Sequence, residues 1–288
     1  MFVALLFMAG TTGNAHALMA GNAPDSPERR IDANTTSSPW TGVGSLSVKG
    51  GTFSGVAIGP RHVLTAAHVV KGVAPEKIIF NLNYGDDLSH RIPASAVFVH
   101  PNYTGFDKHD ITRDDIAVVE LSVDVPEGVA MYDLNTAPPR PGLVLTLVGY
   151  GASGGGTQGI IVGSNPAVKR TGKNAVDGVV ADDEGSGILE AYLYDFDSPD
   201  EPANGNPATL GNDIETTVGN GDSGSPAFIE SHGRWLLAGI NTFQLGANAP
   251  KFGSLGGGML ISAYAKWIQA ILHPPAKVTT TNHPPAAP

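Results

Sequence analysis

The chain has 288 residues, 41% of them hydrophobic and 15% charged, enough for one large globular unit or two moderate ones with a sizeable core. A formal net charge of −10 makes nucleic acid and anionic membrane surfaces poor partners. The absence of cysteine rules out thiol catalysis, disulfides and cysteine metal sites.

Residues 1–17 read as an export signal. Phe2 to Ala9 is an apolar run, and Ala15-His16-Ala17 fits the small-x-small pattern of a signal-peptidase site. The run is too short to span a bilayer, and no later stretch reaches the roughly 20 apolar residues needed. A secreted or periplasmic protein without a membrane span is therefore expected, and a disulfide-free exported chain fits a bacterial source. Residues 18–43 are polar, with prolines at 24, 27 and 39, and read as an extended N-terminal segment. From Gly44, short alternating runs separated by turns predict β-strands around Leu46–Val48, Phe53–Ile58, Val63–Thr65, Ile78–Phe80, Ala96–Val99 and Ile116–Leu121. With 37 glycines and 22 prolines, that rhythm suggests a barrel or sandwich and argues against βαβ units. Residues 136–141, rich in proline, divide a first half (44–135) from a second (142–272). Strands are expected there at Leu143–Val148, Ile188–Leu193, Ala227–Glu230, Trp235–Asn241 and Gly258–Ile261. Tyr264, Trp267, Ile268, Ile271 and Leu272 recur at helical spacing, with Ser262 as the expected cap. Residues 273–288 form a Pro-rich tail read as disordered.

Three short motifs carry chemistry. Gly219-Asn220-Gly221-Asp222-Ser223-Gly224-Ser225-Pro226 is a glycine-rich turn with a nucleophile-capable hydroxyl at its centre. A serine hydroxyl becomes a useful nucleophile when a base takes its proton and backbone N–H groups receive the oxyanion. Thr65-Ala66-Ala67-His68 supplies a histidine at the end of a strand, and Asp115 stands at the mouth of the strand Ile116–Val119. Alone, His68 reads as a structural histidine and Asp115 as a solvated acid. Together, in the order His, Asp, Ser, they read as a catalytic set.

These motifs, with His100-Pro101-Asn102-Tyr103 leading to Asp114-Asp115-Ile116-Ala117, resemble the trypsin/chymotrypsin-like serine peptidases over roughly residues 40–272. The resemblance implies an all-β fold of two six-stranded antiparallel barrels with a C-terminal helix. It implies His68, Asp115 and Ser223 as the triad and the Gly221 and Ser223 amides as the oxyanion hole. Thr242, Phe243 and Gln244 would pair with the substrate backbone, and the Thr242 hydroxyl would bond Asp115. The specificity pocket maps to Thr217, Gln244 and Gly256; without a carboxylate at any of them, a small or apolar residue before the scissile bond is expected. In this family a freed apolar N-terminus inserts beside the aspartate before the nucleophile, here Asp222. Cleavage after Ala17 would offer Leu18-Met19-Ala20-Gly21 for that place, with Ile31 as the competing start.

The expected partners are a protein or peptide substrate and a protein inhibitor; the chain is expected to be monomeric, with no cofactor and no metal. Gly149-x-Gly151-x-x-Gly154 imitates a dinucleotide fingerprint but lacks the following helix and acid, and reads as a loop. Asp195-x-Asp197-x-x-Asp200-Glu201 reads as a solvated acidic loop. A non-catalytic binding protein on the same scaffold and a glutamyl-type endopeptidase remain as alternative readings.

Overall fold

The computed structural model describes residues 18–105, 111–199, 210–246 and 249–274. The expected export signal and the tail beyond residue 274 lie outside that range. In the first half, β1 (Val43–Val48), β2 (Gly51–Gly59), β3 (His62–Thr65), β4 (Ile78–Tyr84), β5 (Asp87–Val99) and β6 (Ala117–Leu121) close into an antiparallel barrel in the order β1-β2-β3-β6-β5-β4. Their inward residues, among them Leu46, Val63, Ile78, Phe80, Val119 and Leu121, are buried in one cluster. Alternation along each strand produces this lining, since successive side chains face opposite sides of the sheet. A short helix, α1 (Ala67–Val70), follows β3.

The chain crosses to the second half through β7 (Asp133–Leu134), which pairs in parallel with β15 (Arg234–Leu245). The second half contains β8 (Val144–Gly149), β9 (Ser153–Gly155), β10 (Gly159–Val162), β11 (Arg170–Ala175), β12 (Gly178–Ala181), β13 (Leu189–Asp195), β14 (Pro226–Ser231) and β16 (Leu255–Leu260). Here the expectation of a second closed barrel is corrected. The main sheet runs β11-β8-β14-β15-β16-β13-β12 with β7 beside β15, and its two ends do not pair among the described residues. β9 and β10 form a separate two-stranded ribbon.

Helix α2 (Ile261–Leu272) buries Ile261, Tyr264 and Ile268, as its spacing requires. It begins one residue before Ser262, so that serine is inside the first turn and makes no cap; Leu260 holds the N-cap position without a side-chain bond. Between the halves lies a core of Trp40, Val56, Leu64, Ile116, Tyr150, Phe228, Ile240 and α2 side chains. Trp40 stacks on Phe228 at 5.1 Å and leans on Trp235 at 4.7 Å.

The N-terminal segment is mostly irregular, as its composition suggests, yet it is docked. Leu18, Met19 and Ala20 are fully buried. Arg30, at the end of a 3-10 turn over Pro27–Arg30, reaches Asp25 and the carbonyls of Ile214 and Glu215.

Candidate active site

The register of β3 against β6 brings the first two residues together. His62 faces Glu120 and Thr65 faces Ala117, so the chain leaving β3 and the chain entering β6 emerge side by side. His68 and Asp115 stand on those two exits. The Asp115 carboxylate is fully buried and takes two bonds from one residue: His68 N–H at 2.8 Å and His68 Nδ1 at 2.6 Å. That pairing fixes the ring's orientation and leaves Nε2 on the opposite edge. Tyr103, largely buried, has its phenol pushed above its ordinary range by desolvation and then by the Asp115 charge.

Ser223 comes from the other half, on the turn that enters β14. The turn seats against the first barrel: Ser54 N–H donates to the Ser223 carbonyl at 3.0 Å, and Ser54 Oγ bonds the Gly221 carbonyl at 3.2 Å. Two glycines are required there. Gly221 has φ +97° and Gly224 has φ +83°; a Cβ on Gly224 would lie 2.1 Å from Thr65 Oγ1 and 3.0 Å from the Ala66 nitrogen. That contact brings the serine turn onto the strand end that leads to His68.

Asp222 points away from the solvent and is fully buried. It accepts from the amides of Gly151 and Gly219, both at 2.8 Å, and from that of Leu18 at 3.3 Å. Burial pushes its carboxyl up to about 6 against the pull of those donors. The Leu18 carbonyl accepts from Ser153 Oγ, and Met19 is held by Thr216 Oγ1 and the Thr217 carbonyl. The glycine run that imitates a nucleotide fingerprint is thus a cradle for Asp222, and β9 begins within it at Ser153.

A cavity of about 270 Å³ opens beside Ser223, lined by Val218, Gly219, Asn241, Phe243 and Gln244 among others. Of the three mapped specificity positions, only Gln244 lines it. Gln244 Nε2 donates to the Val218 carbonyl at 2.7 Å, tying one wall to the other. Thr217 is fully buried, and the Tyr194 ring covers Gly256, lying 2.4 to 2.7 Å from where a Cβ would be. Thr242 Oγ1 is buried without a partner among the described residues, so the expected bond from Thr242 to Asp115 is not made.

Some residues that build this site gave no signal in the sequence. Ser54, on the first barrel, donates its hydroxyl to the Gly221 carbonyl and accepts at Oγ from Tyr150 N–H, both in the second half. Asn241 accepts both Tyr192 and Tyr194 hydroxyls at 2.9 Å and donates to Ser225 Oγ and carbonyl at 3.0 Å. Glu190, on β13, reaches across to the Asp115 loop: Asp114 N–H donates to it at 2.9 Å, Tyr264 O–H at 2.5 Å and Arg113 at 3.2 Å. Asp114 itself has φ +52° and sits 2.9 Å from His100 Nδ1, with burial and then the Glu190 charge raising it to about 6.

Among the described residues, two clusters of carboxylates have ligand atoms close enough to share a cation: Asp114, Asp183 and Glu184, and Asp195, Asp197 and Glu215. The second corrects the reading of a solvated loop, because Asp195 and Asp197 are buried against Glu215. Asp200 and Glu201 lie outside the described residues.

A family model described as Trypsin matches residues 30–185, more than half of the chain, and spans His68 and Asp115. Among solved structures, mouse neuropsin, "a serine protease expressed in the limbic system of mouse brain", superposes with a TM-score of 0.60 at 20% identity. The match covers 85% of this chain and 98% of that one, and at this identity it speaks to the fold. With a family match over more than half of its length, and a closed six-stranded barrel, a second sheet and a C-terminal helix consistent with it, the chain belongs to the trypsin family of serine peptidases.

Proposed function

We propose that the protein is an exported serine endopeptidase in which His68, Asp115 and Ser223 act as one unit. The buried Asp115 carboxylate, 2.6 Å from His68 Nδ1, is the observation that carries this reading. Ser223 Oγ attacks the scissile carbonyl while His68 Nε2 takes its proton. The Gly221 and Ser223 amides receive the oxyanion, where losing one donor costs about a hundred- to a thousandfold in rate. His68 then returns the proton to the departing amine, leaving an acyl-enzyme on Ser223. A water attacks that ester with His68 again as base, releasing the acid and restoring the serine. Asp115 holds the ring and stabilises the imidazolium throughout.

Thr242, Phe243 and Gln244, at the open end of β15, pair with the substrate as an added strand. Gln244 across the cavity favours a small residue before the scissile bond. Export through residues 1–17 and cleavage after Ala17 free the Leu18 amine beside Asp222, so signal peptidase makes the active terminus. The buried Leu18–Ala20 docking supports this, as does the φ of +52° at Leu18, an uncommon backbone state that ceases to exist once the preceding bond is cut.

A fluorophosphonate probe, applied to the mature protein and to Ser223→Ala, tests the reading. Labelling of Ser223 alone in the native chain is expected, with an N-terminus at Leu18. An unlabelled Ser223 in a folded mature chain overturns the peptidase reading; an N-terminus at Ile31 overturns the activation route. A peptide panel varied before the scissile bond reads the preference.

A further inference from the structure

Among the described residues Asp222 meets only uncharged donors in direct contact, the three amides of Leu18, Gly151 and Gly219. The amide bonds favour the ionised carboxylate against its burial, and a positive charge within reach adds to that. The buried basic side chains nearby are mostly committed elsewhere. Arg30 is engaged by Asp25 at 2.5 Å, and Lys169 donates to the Trp40 carbonyl at 2.8 Å with Asp32 at 3.8 Å.

Arg170 is different. It is fully buried, its Nε donates to the Pro27 carbonyl at 2.5 Å, and its two terminal nitrogens reach no acceptor among the described residues. A guanidinium in that state is costly, which demands a compensating charge nearby. The strand register says which way it faces. Arg170 stands directly opposite Gly149, so the two share one face of the sheet. On that face a Cβ at Gly149 would lie 2.1 Å from Asp222 Oδ1, so the missing side chain is what lets the carboxylate approach. Arg170 therefore springs from the surface against which Asp222 packs; after the amides of Gly219, Gly151 and Leu18, its charge favours the ionised carboxylate, and Asp222 favours the guanidinium against burial. Burial lowers Arg170 to about 9, which keeps it a cation through neutral pH.

We propose that Arg170 is an internal counter-cation of Asp222, a positioning residue that holds the carboxylate ionised against Gly151 and Gly219 whether or not Leu18 has been freed. This rests on the peptidase reading above. Its consequence is that the unprocessed chain already carries an assembled nucleophile turn, and that the Leu18 amine adds to a pair that exists before cleavage. The titratable groups facing Asp222 are Arg170 from β11, Tyr194 from β13 and, after processing, the Leu18 amine. Burial holds the Tyr194 proton well beyond the ordinary phenol range, so only the two cations titrate against Asp222 in the alkaline range.

The experiment compares fluorophosphonate labelling of wild type, Arg170→Met and Arg170→Lys, each as the 288-residue chain made by cell-free translation without signal peptidase and as the chain processed to Leu18. The unprocessed wild type is expected to label at Ser223, and unprocessed Arg170→Met about a hundredfold more slowly, the scale of a lost oxyanion donor. Processed Arg170→Met should react near the wild-type rate at pH 7 and lose reactivity as the Leu18 amine deprotonates at about pH 8, while processed wild type holds its rate through that point. Lys restores both. Equal labelling of Arg170→Met and wild type in both forms overturns the inference. So does a loss that is uniform in pH and not restored by Lys, or an unprocessed wild type that stays inert while the processed chain reacts. If unprocessed chains fail to fold, the pH profiles of the processed ones decide. An inert processed wild type instead removes the peptidase reading itself.

Discussion

Removing the Glu190 carboxylate strips three groups of an acceptor at once. Glu190 is buried, and it receives the Asp114 amide at 2.9 Å, the Tyr264 hydroxyl at 2.5 Å and the Arg113 guanidinium at 3.2 Å. In Glu190→Ala the Asp114 amide loses its acceptor and the Tyr264 hydroxyl its strongest one, keeping only Met259 Sδ at 3.5 Å and the Asp114 side chain, each loss at about 1–3 kcal/mol. Arg113 keeps the Ala181 carbonyl at 2.7 Å and is partly solvated, so its share is small. The sum is a loss of about 2–6 kcal/mol, centred on the range of about 3–5 found when one partner of a buried pair is deleted. Glu190→Gln keeps one carbonyl oxygen for Asp114 and Tyr264 and should lose about 1.5–3 kcal/mol, the scale of one charged hydrogen bond. Since Asp114 immediately precedes Asp115, the Ala variant should also misplace the His68 partner and lower kcat more than it raises KM. Urea denaturation and peptidase kinetics measure both. A Glu190→Ala protein within about 0.5 kcal/mol of wild type, as an ordinary surface change would be, refutes the argument that Glu190 braces the Asp115 loop.

Asn241→Leu should destabilise by about 2–4 kcal/mol in urea, because two tyrosine hydroxyls lose their acceptor and Ser225 a donor; unchanged stability would deny that network its role. Gln244→Gly should open the cavity and raise kcat/KM for a large apolar residue before the scissile bond by about tenfold relative to alanine, within the range for one added methylene; an unchanged ratio would show that Gln244 is no barrier. Asp195 is raised to about 7 by desolvation and by the charges of Asp177, Asp197 and Glu215. Its folded value lies above its unfolded one, so its contribution to stability is complete in acid and lost as pH rises through about 7. Asp195→Asn should therefore raise Tm at pH 8 more than at pH 5; an equal shift at both would contradict the burial of that cluster.

The parts of the site legible in the sequence were those where a residue type has one common use. Gly-Asp-Ser-Gly and a histidine after Thr-Ala-Ala announce themselves, and short alternating runs mark the strands of the first barrel. Ser54, Asn241 and Glu190 gave no such signal, because a serine, asparagine or glutamate inside a strand is ordinary until its partner, 167, 16 or 76 positions away, is known. Closure failed for a similar reason: hydrophobic alternation reports that a strand is half-buried, not which neighbour it takes, so two closed barrels and a barrel with an open sheet read alike. Asp195 and Asp197 look solvated beside the further acids that follow them, and only the fold places Glu215 against them. The pocket positions were offset by Tyr194, whose ring covers Gly256 from a strand that spacing alone cannot align.

The bonds that complete the nucleophile turn join distant parts of the chain: Leu18 and Asp222 are 204 positions apart, and Ser54 and Gly221 are 167 apart. A chain that emerges N-terminus first can close its first barrel once β6 has appeared, with His68 and Asp115 already in register. The turn bearing Ser223 arrives about a hundred residues later, and the loops it must close are among the longest available, which makes this step late and slow. The Ser223 turn thus reaches its place after His68 and Asp115 have reached theirs. On the proposed reading, a half-made molecule holds a base and its orienter but has nothing to cut with.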